Sequence, residues 1–334
     1  MKEIAMFKLM NLNLQLFAGN LNTNITGDSG LTPEMKTFYD MTLIDEASPN
    51  LVHDQFGQKR PIPANGGKKI EFRKFASLPK ALTALTEGVT PDGKKLTVTK
   101  IEAEVAQYGD YIVQSDVLEL TAIDNTIVEA TKILGRQAGL TLDTLTRNIL
   151  HSATNQWFCP KEGGTAVSSI SGLDETCLLT VDVVKQVVAD LKANNAPKIN
   201  GDYVAIIHPY VAYDLMSDPE WVEAHKYAKP DNIYEGEIGK VAGVRFVETS
   251  EARIYENGVF GTLFLADGAY GVTEITGGGL QTIVKQKGSA GTADPLDQRS
   301  SVGWKAMKTA EILVQPYMAL VYSKSKLSSK AVAN

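Results

Sequence analysis

Apolar side chains recur along Asp124–His151 with a period near 3.6 residues: Ile127, Ile133 or Leu134, Ala138, Leu142, Leu145 and Ile149. The pattern predicts one helix, with Asp124 able to cap its start. About 28 residues at a rise of 1.5 Å each give a rod of ~42 Å. A rod of that length constrains everything else, because its apolar stripe must be covered along the whole distance. Gly135 and Gly139 lie inside it. Each costs roughly 1 kcal/mol there, so their presence predicts another element packed close at that point.

Ahead of the helix the charge is segregated. Lys59–Lys100 holds ten basic residues (Lys59, Arg60, Lys68, Lys69, Arg73, Lys74, Lys80, Lys94, Lys95 and Lys100) against Glu71, Glu87 and Asp92, a net +7. Ile101–Thr131 holds seven acids (Glu102, Glu104, Asp110, Asp116, Glu119, Asp124 and Glu129) and no Lys or Arg, a net −7. Such neighbours suit head-to-tail docking between identical subunits, the basic arm of one copy meeting the acidic body of the next. The candidate contacts are Lys68, Lys69, Arg73, Lys74, Lys80, Lys94 and Lys95 on the arm. On the body they are Glu102, Glu104, Asp116, Glu119 and Glu129. Two solvated surfaces without mutual contact is the plainer alternative. A nucleic-acid surface is disfavoured: the segment shows no recognisable binding module, and the rest of the chain is acidic within an overall −6.

The basic segment also alternates. Ile70 and Phe72 share one face of Lys68–Phe75, with Glu71 and Arg73 on the other. Leu96–Val113 alternates with a slip in phase. Leu96 and Val98 lie on one parity, Ile101, Ala103 and Val105 on the other, and Tyr108 and Ile112 return to the first. A slip of one residue predicts a bulge or a change in the covered face. Between the strands lie Pro79, Gly88 and the turn Pro91-Asp92-Gly93. The expectation is a long two-stranded projection, up to ~50 Å for 15 residues. Such a ribbon is marginal alone, so a neighbouring subunit is expected to cover it.

Elsewhere helices and strands mix without strict alternation, which argues α+β. Asn11–Leu31 is polar and Gly-rich and reads as an arm. Thr32-Pro33 opens a helix that Ser48-Pro49 ends, and a second helical patch is expected at Pro49–Phe56. Thr154–Cys177 reads as a connection. Thr180–Asn194 is amphipathic with Thr180 as cap, and Tyr203–Ile207 is a buried strand leading through His208-Pro209 into a helix ending at Met216. Pro219–Tyr227 is a further short helix. Strands follow at Gly239–Glu248, Gly261–Ala266, Ala269–Ile275 and Leu280–Lys285. Val302–Val314 is a late strand that Pro316 interrupts before Met318–Tyr322.

Chemistry is sparse. Cys159 and Cys177, with 17 residues between them, fit neither a disulfide framework nor zinc spacing. Gly27-Asp28-Ser29-Gly30 looks like a protease nucleophile motif but lies in the arm, away from any rigid His and Asp. Gly236-Glu237-Ile238-Gly239-Lys240 lacks the spacing and hydroxyl of a phosphate loop. His53, His151, His208 and His225 share no metal spacing. Asp294 and Asp297 sit in turn sequence. The reading therefore assigns no catalytic residue, no cofactor and no metal. A hydrolase would need turnover that disappears on mutating His208 or Ser29. No apolar run approaches the ~20 residues of a membrane helix, and Glu3, Lys8 and three Asn or Gln residues interrupt any signal-peptide core in Met1–Gly19. At 334 residues the chain has room for two domains.

Two segments carry a family likeness: Asp294-Pro295-Leu296-Asp297-Gln298-Arg299-Ser300-Ser301-Val302-Gly303-Trp304-Lys305 running into the late strand, and Gly243-Val244-Arg245-Phe246-Val247 with its polar turn. In that setting the element order of Leu31–Tyr322 resembles tailed-phage major capsid proteins with the Hong Kong 97-like fold. The resemblance implies an N-terminal arm (1–31), a helical segment (32–66) and an extended β-hairpin loop (67–113). After these come a peripheral domain with a long spine helix (114–160), a mixed α/β axial domain (161–293), and a returning strand with a tail (294–334). It further implies hexamers and pentamers of an icosahedral shell in the virion, enclosing double-stranded DNA without sequence-specific binding. Assembly is then expected in the bacterial host cytoplasm, with a separate scaffolding protein and a portal and no membrane. An encapsulin-like nanocompartment shell shares the fold and is the alternative. Met10-Asn11-Leu12-Asn13-Leu14-Gln15-Leu16-Phe17 resembles the start of capsid proteins from phages of Gram-positive hosts, so Met10 stands beside Met1 as a start. Some relatives crosslink a hairpin Lys to a neighbour's Asn, but no acceptor is identified for Lys80, Lys94 or Lys95.

Overall fold

The computed structural model describes residues 41, 43, 46–47, 51–60, 62, 68–75, 78, 80–84, 87–88, 90, 92–121, 126–225, 239–274, 278–289 and 294–334. The expected arm, the Gly27–Gly30 motif and residues 236–238 lie outside them. The helices are α1 (Asp116–Thr121), α2 (Thr126–Leu150), α3 (Val181–Ala193), α4 (Pro209–Met216) and α5 (Pro219–His225). The first strands are β1 (Gln58–Lys59), β2 (Lys69–Phe75), β3 (Val98–Glu104), β4 (Ala106–Ser115), β5 (Gln156–Phe158), β6 (Tyr203–Ile207) and β7 (Lys240–Val241). They continue as β8 (Val244–Glu248), β9 (Ile254–Tyr255), β10 (Val259–Leu265), β11 (Tyr270–Glu274), β12 (Gln281–Lys285), β13 (Arg299–Ile312) and β14 (Met318–Ser323).

The long helix forms within two residues of its expected ends, and Leu134, not Ile133, takes the buried stripe beside Ala138 and Leu142. The close approach expected at the glycines is real at Gly135, where a Cβ would sit 2.8 Å from the carbonyl oxygen of Leu43. Residues 41, 43, 46 and 47 are helical, in line with the first helix. The expected second helical patch is instead a turn, closed by the N–H of Gln55 on the carbonyl of Val52. Directly after it, residues 58–59 pair in parallel with β11.

β13 organises a five-stranded sheet. One edge takes β4 along ten residue pairs, from Arg299↔Ser115 to Lys308↔Ala106. The other edge is shared, β12 opposite 301–305 and β11 opposite 308–312. α2 lies across it, and Leu134, Ala138 and Leu142 meet Val302, Trp304 and Ala306 in one apolar cluster with Leu43. The strands cross tightly at Gly303, where a Cβ would stand 2.7 Å from that of Tyr111.

A seven-stranded sheet, in order β5-β14-β10-β6-β8-β7 with β9 on β10, forms the second and larger core. β6 is buried at all five positions. Thr180 caps α3 as expected, accepting from the N–H of Val183, and Val183, Val184, Val187, Val188 and Leu191 face the core.

Sheet membership cuts across the segment boundaries expected from sequence. The chain leaves the five-stranded sheet at Ile312, turns through Gln315–Tyr317 around Pro316, and enters the seven-stranded sheet as β14 between β10 and β5. Thr154–Cys177 is more than a connection, because β5 within it pairs in parallel with β14. β11 and β12, expected with the axial strands, belong to the sheet under α2. Long-range strand pairing, which local periodicity does not encode, decides these placements.

Candidate inter-subunit surface

The phase slip read at residues 101–108 marks a change of sheet. β2 and β3 pair only with each other, over seven residue pairs from Lys69↔Glu104 to Phe75↔Val98. At Val105, whose N–H still reaches the carbonyl of Lys68, the chain leaves the ribbon and continues as β4 along β13. The paired ribbon is therefore shorter than expected, ~23 Å for seven residues, and the described residues between 78 and 97 belong to no strand.

The root of the ribbon is anchored in its own subunit. Phe72 is buried and fills the space over Gly271, where a Cβ would clash with its ring at 2.8 Å. The Arg60 guanidinium lies 5.9 Å from the Phe72 ring centre. Beyond the root the support ends. Every described residue from 78 to 100 is exposed, including Lys80, Lys94 and Lys95, and Leu82 retains 86% of its surface. Glu71 is held between Lys100 at 3.2 Å and Arg73 at 3.5 Å. The Lys100 hydrogen bond, then its charge, draws the Glu71 carboxyl below the usual carboxylate range.

The acidic positions divide. Glu102 and Glu104 are on β3, part of the ribbon and not of a separate body, with Glu104 opposite Lys69. Register decides this, since the acidic stretch begins before the chain leaves the ribbon. Asp116 opens α1, its carboxylate accepting the N–H of Val117 at 2.8 Å. Glu119 lies on α1. Glu129, in the first turn of α2, pairs with Lys132 at 2.9 Å. Lys68 and Lys69 lie at the start of β2 and are exposed, as is Arg73 farther along, and Lys74 follows Arg73 on the same strand.

Apolar groups missed by the charge pattern accompany the acids. Tyr111 and Val113 point outward from β4, while Tyr108 and Ile112 pack toward α2. Val117, Leu118 and Leu120 are exposed on α1, and Ile133 on α2. The uninterrupted run Tyr111-Ile112-Val113 is the signal that could have found them, because a strand apolar on both faces expects cover on both. Gln137 locks this region from behind, donating to Asp110 at 2.6 Å while its carbonyl oxygen receives the Trp304 indole N–H at 3.3 Å. That bond, with the Tyr111 N–H, draws the Asp110 carboxyl down.

The suspected chemical groups serve structure. His208 caps α4 by accepting the Tyr210 N–H at 3.1 Å, and burial lowers its pKa to about 4. Asp294 accepts the backbone N–H of Arg299 at 2.8 Å in the turn before β13. Cys159 and Cys177 are buried free thiols, both pushed up by burial. Among the described residues no three His, Cys, Asp or Glu gather as a metal site, and no described helix is long and apolar enough to cross a membrane.

Two sheets joined through β13 and β14 thus carry a charged ribbon whose root is anchored in the subunit and whose described residues from 78 to 100 are exposed. Residues 121–279 match the family described as phage capsid protein. No curated protein sequence matches the chain. Among solved structures, the capsid of cyanophage P-SCSP1u superposes with a TM-score of 0.61 at 15% identity, covering 81% of this chain and 87% of that one. The capsid of Ralstonia phage GP4 gives 0.59 at 13%, covering 81% and 87%. The cyanophage Pam1 capsid gives 0.60 at 13%, covering 84% and 92%. The fold is the Hong Kong 97-like fold of tailed-phage capsids, and the family match over residues 121–279 supports a capsid role for the chain. The nanocompartment alternative is not favoured.

Proposed function

We propose that copies of this chain dock head to tail through the ribbon to form hexamers and pentamers of an icosahedral shell around double-stranded DNA. The tip of one copy, with Lys80, Lys94, Lys95 and the exposed Leu78, Leu82 and Leu96, lies over β4 and α1 of the next. There Asp116 and Glu119 offer charge while Tyr111, Val113 and Leu120 offer apolar cover. Lys68, Lys69, Arg73 and Lys74 flank the contact, and Glu102 and Glu104 enter it from the ribbon side. The observation that carries this reading is the uniform exposure of the described residues from 78 to 100. Large apolar groups left in water mark contact surfaces. The five-stranded sheet with α2 acts as the peripheral unit and the seven-stranded sheet as the axial one. The role is architectural, without turnover, and a separate scaffolding protein and a portal act as partners.

Reversing Lys94 and Lys95 to Glu tests the docking. The double variant keeps the circular dichroism of the wild-type monomer but forms no closed particles in negative-stain microscopy. Normal particles would remove the ribbon tip from the contact. Wild-type assembly also weakens with added salt, since exposed charges are screened over ~8–10 Å at 0.1–0.15 M.

A further inference from the structure

Two arginines meet where the C-terminal end of α2 touches the seven-stranded sheet. Arg147 is 3% exposed. Its Nη1 donates to the carbonyl of Glu251 at 2.9 Å, and its Nη2 reaches Asn148 Oδ1 at 3.5 Å. Arg253 Nη1 donates to the same Asn148 oxygen at 2.9 Å, and its guanidinium lies 5.0 Å from the Tyr255 ring centre. Tyr255 in turn bonds His151 Nδ1 at 2.9 Å.

The charges here do not balance. Neither guanidinium forms an ion pair with a described carboxylate. The buried Asp143 is already engaged by the His53 N–H at 2.7 Å and by His53 Nδ1 at 2.6 Å. The Nε atoms of both arginines are buried and meet no acceptor among the described residues, and the same holds for Nε2 of His53 and of His151. Unpaired buried charge is costly, and two guanidiniums sharing one neutral amide oxygen repel each other. The directions of the pKa shifts agree. Burial first, then Arg253, lowers the Arg147 pKa. Burial first, then His53, Arg253 and Arg147, holds His151 well below the usual imidazole range. Glu251 and Asp143 act on Arg147 in the opposite sense without cancelling this.

A cleft of about 800 Å³ opens onto Arg253. Gln156, Ser168, Ser169, Ser171 and Asn257 supply hydroxyl and amide groups along it, Glu256 and the terminal Asn334 also line it, and Arg147 lies outside the lining.

We propose that this junction is a binding site for a phosphate group, held by the Arg253 guanidinium where it lines the serine-bearing cleft, with the buried Arg147 behind it adding positive charge. Guanidinium forks match the spacing of phosphate oxygens and form two parallel charge-assisted bonds, and hydroxyls complete the shell. The group comes either from free phosphate or from the backbone of duplex DNA. The assignment is independent of how the ribbon docks.

Thermal unfolding of the purified full-length chain tests it, comparing inorganic phosphate with chloride and acetate at equal ionic strength. Phosphate raises the wild-type midpoint with a saturating dependence, and Arg253→Gln weakens that apparent affinity at least tenfold while leaving the chloride response unchanged. Arg253 is the residue to change because it stands at the mouth of the cleft, whereas loss of the buried Arg147 perturbs folding. Fluorescence anisotropy of a short labelled duplex separates the sources. Binding that phosphate displaces and Arg253→Gln weakens assigns backbone phosphate; a duplex indifferent to Arg253→Gln, beside the phosphate-dependent midpoint, assigns the free anion. Equal midpoint shifts in phosphate, acetate and chloride, or an unchanged phosphate response in Arg253→Gln, overturn the proposal.

Discussion

Glu71 and Asp54 each hold a lysine, one in the open and one in the interior. The Glu71–Lys100 pair crosses the ribbon with side chains 37% and 57% exposed. The Asp54–Lys308 pair is 15% and 7% exposed. Around it Thr146 donates to Asp54 at 2.6 Å, Lys308 donates to the carbonyl of Leu142 at 2.9 Å, and Tyr270 donates to the carbonyl of His53. Water screens the first pair, so it adds little to the subunit. The second cannot be opened from one side without stranding a charge. One region keeps its charges available for another copy; the other uses them to tie residues 51–60, α2, β11 and β13 into one body.

Breaking the interior pair carries the largest expected effect. Asp54→Ala leaves the Lys308 ammonium without its carboxylate and destabilises the monomer by about 3–5 kcal/mol, read by urea denaturation. The double replacement Asp54→Leu with Lys308→Met recovers most of that loss, because neither charge is then stranded. A D54A variant as stable as wild type would erase the contrast between the two regions.

Acid sharpens it next. Burial depresses the folded pKa of His208 to about 4 from an ordinary 6.5. The folded state therefore favours neutral imidazole. Its contribution is complete above pH 6.5 and is lost as the pH falls toward 4, on the order of 1–3 kcal/mol. His151 is shifted in the same direction and adds to the slope. His208→Asn keeps a cap for α4 and flattens the urea midpoint between pH 6.5 and 4, while particle yield at pH 7 stays unchanged.

The smallest effects belong to the ribbon. Leu82→Ser leaves the monomer's urea midpoint where it was, because Leu82 keeps 86% of its surface exposed in its own subunit, yet it lowers particle yield. Glu71→Gln moves the monomer midpoint no more than Leu82→Ser does. A marked loss of monomer stability in either would mean that the ribbon is folded into its own subunit.

The helical period from Ile127 to Ile149 and the cap at Thr180 were legible because they are local. So was the phase slip near Val105, although the slip alone did not say that the ribbon ends there. What stayed hidden is long-range. Asp54 and Lys308 are 254 positions apart, and nothing in either neighbourhood announces the other. The crossing of β14 into the second sheet was visible only as the break at Pro316. The placement of Glu102 and Glu104 on the ribbon needed the register of β2 against β3. The outward Tyr111 and Val113 were written in the sequence as an apolar run, but charge totals drew attention away from them.

Hydrogen–deuterium exchange across residues 78–100, in the unassembled chain and in purified particles, tests the central claim most directly. The amides exchange freely in the monomer and become protected in the particle, as neighbouring copies supply the cover that the subunit lacks. Equal protection in both states would show that the ribbon needs no partner and would contradict the account.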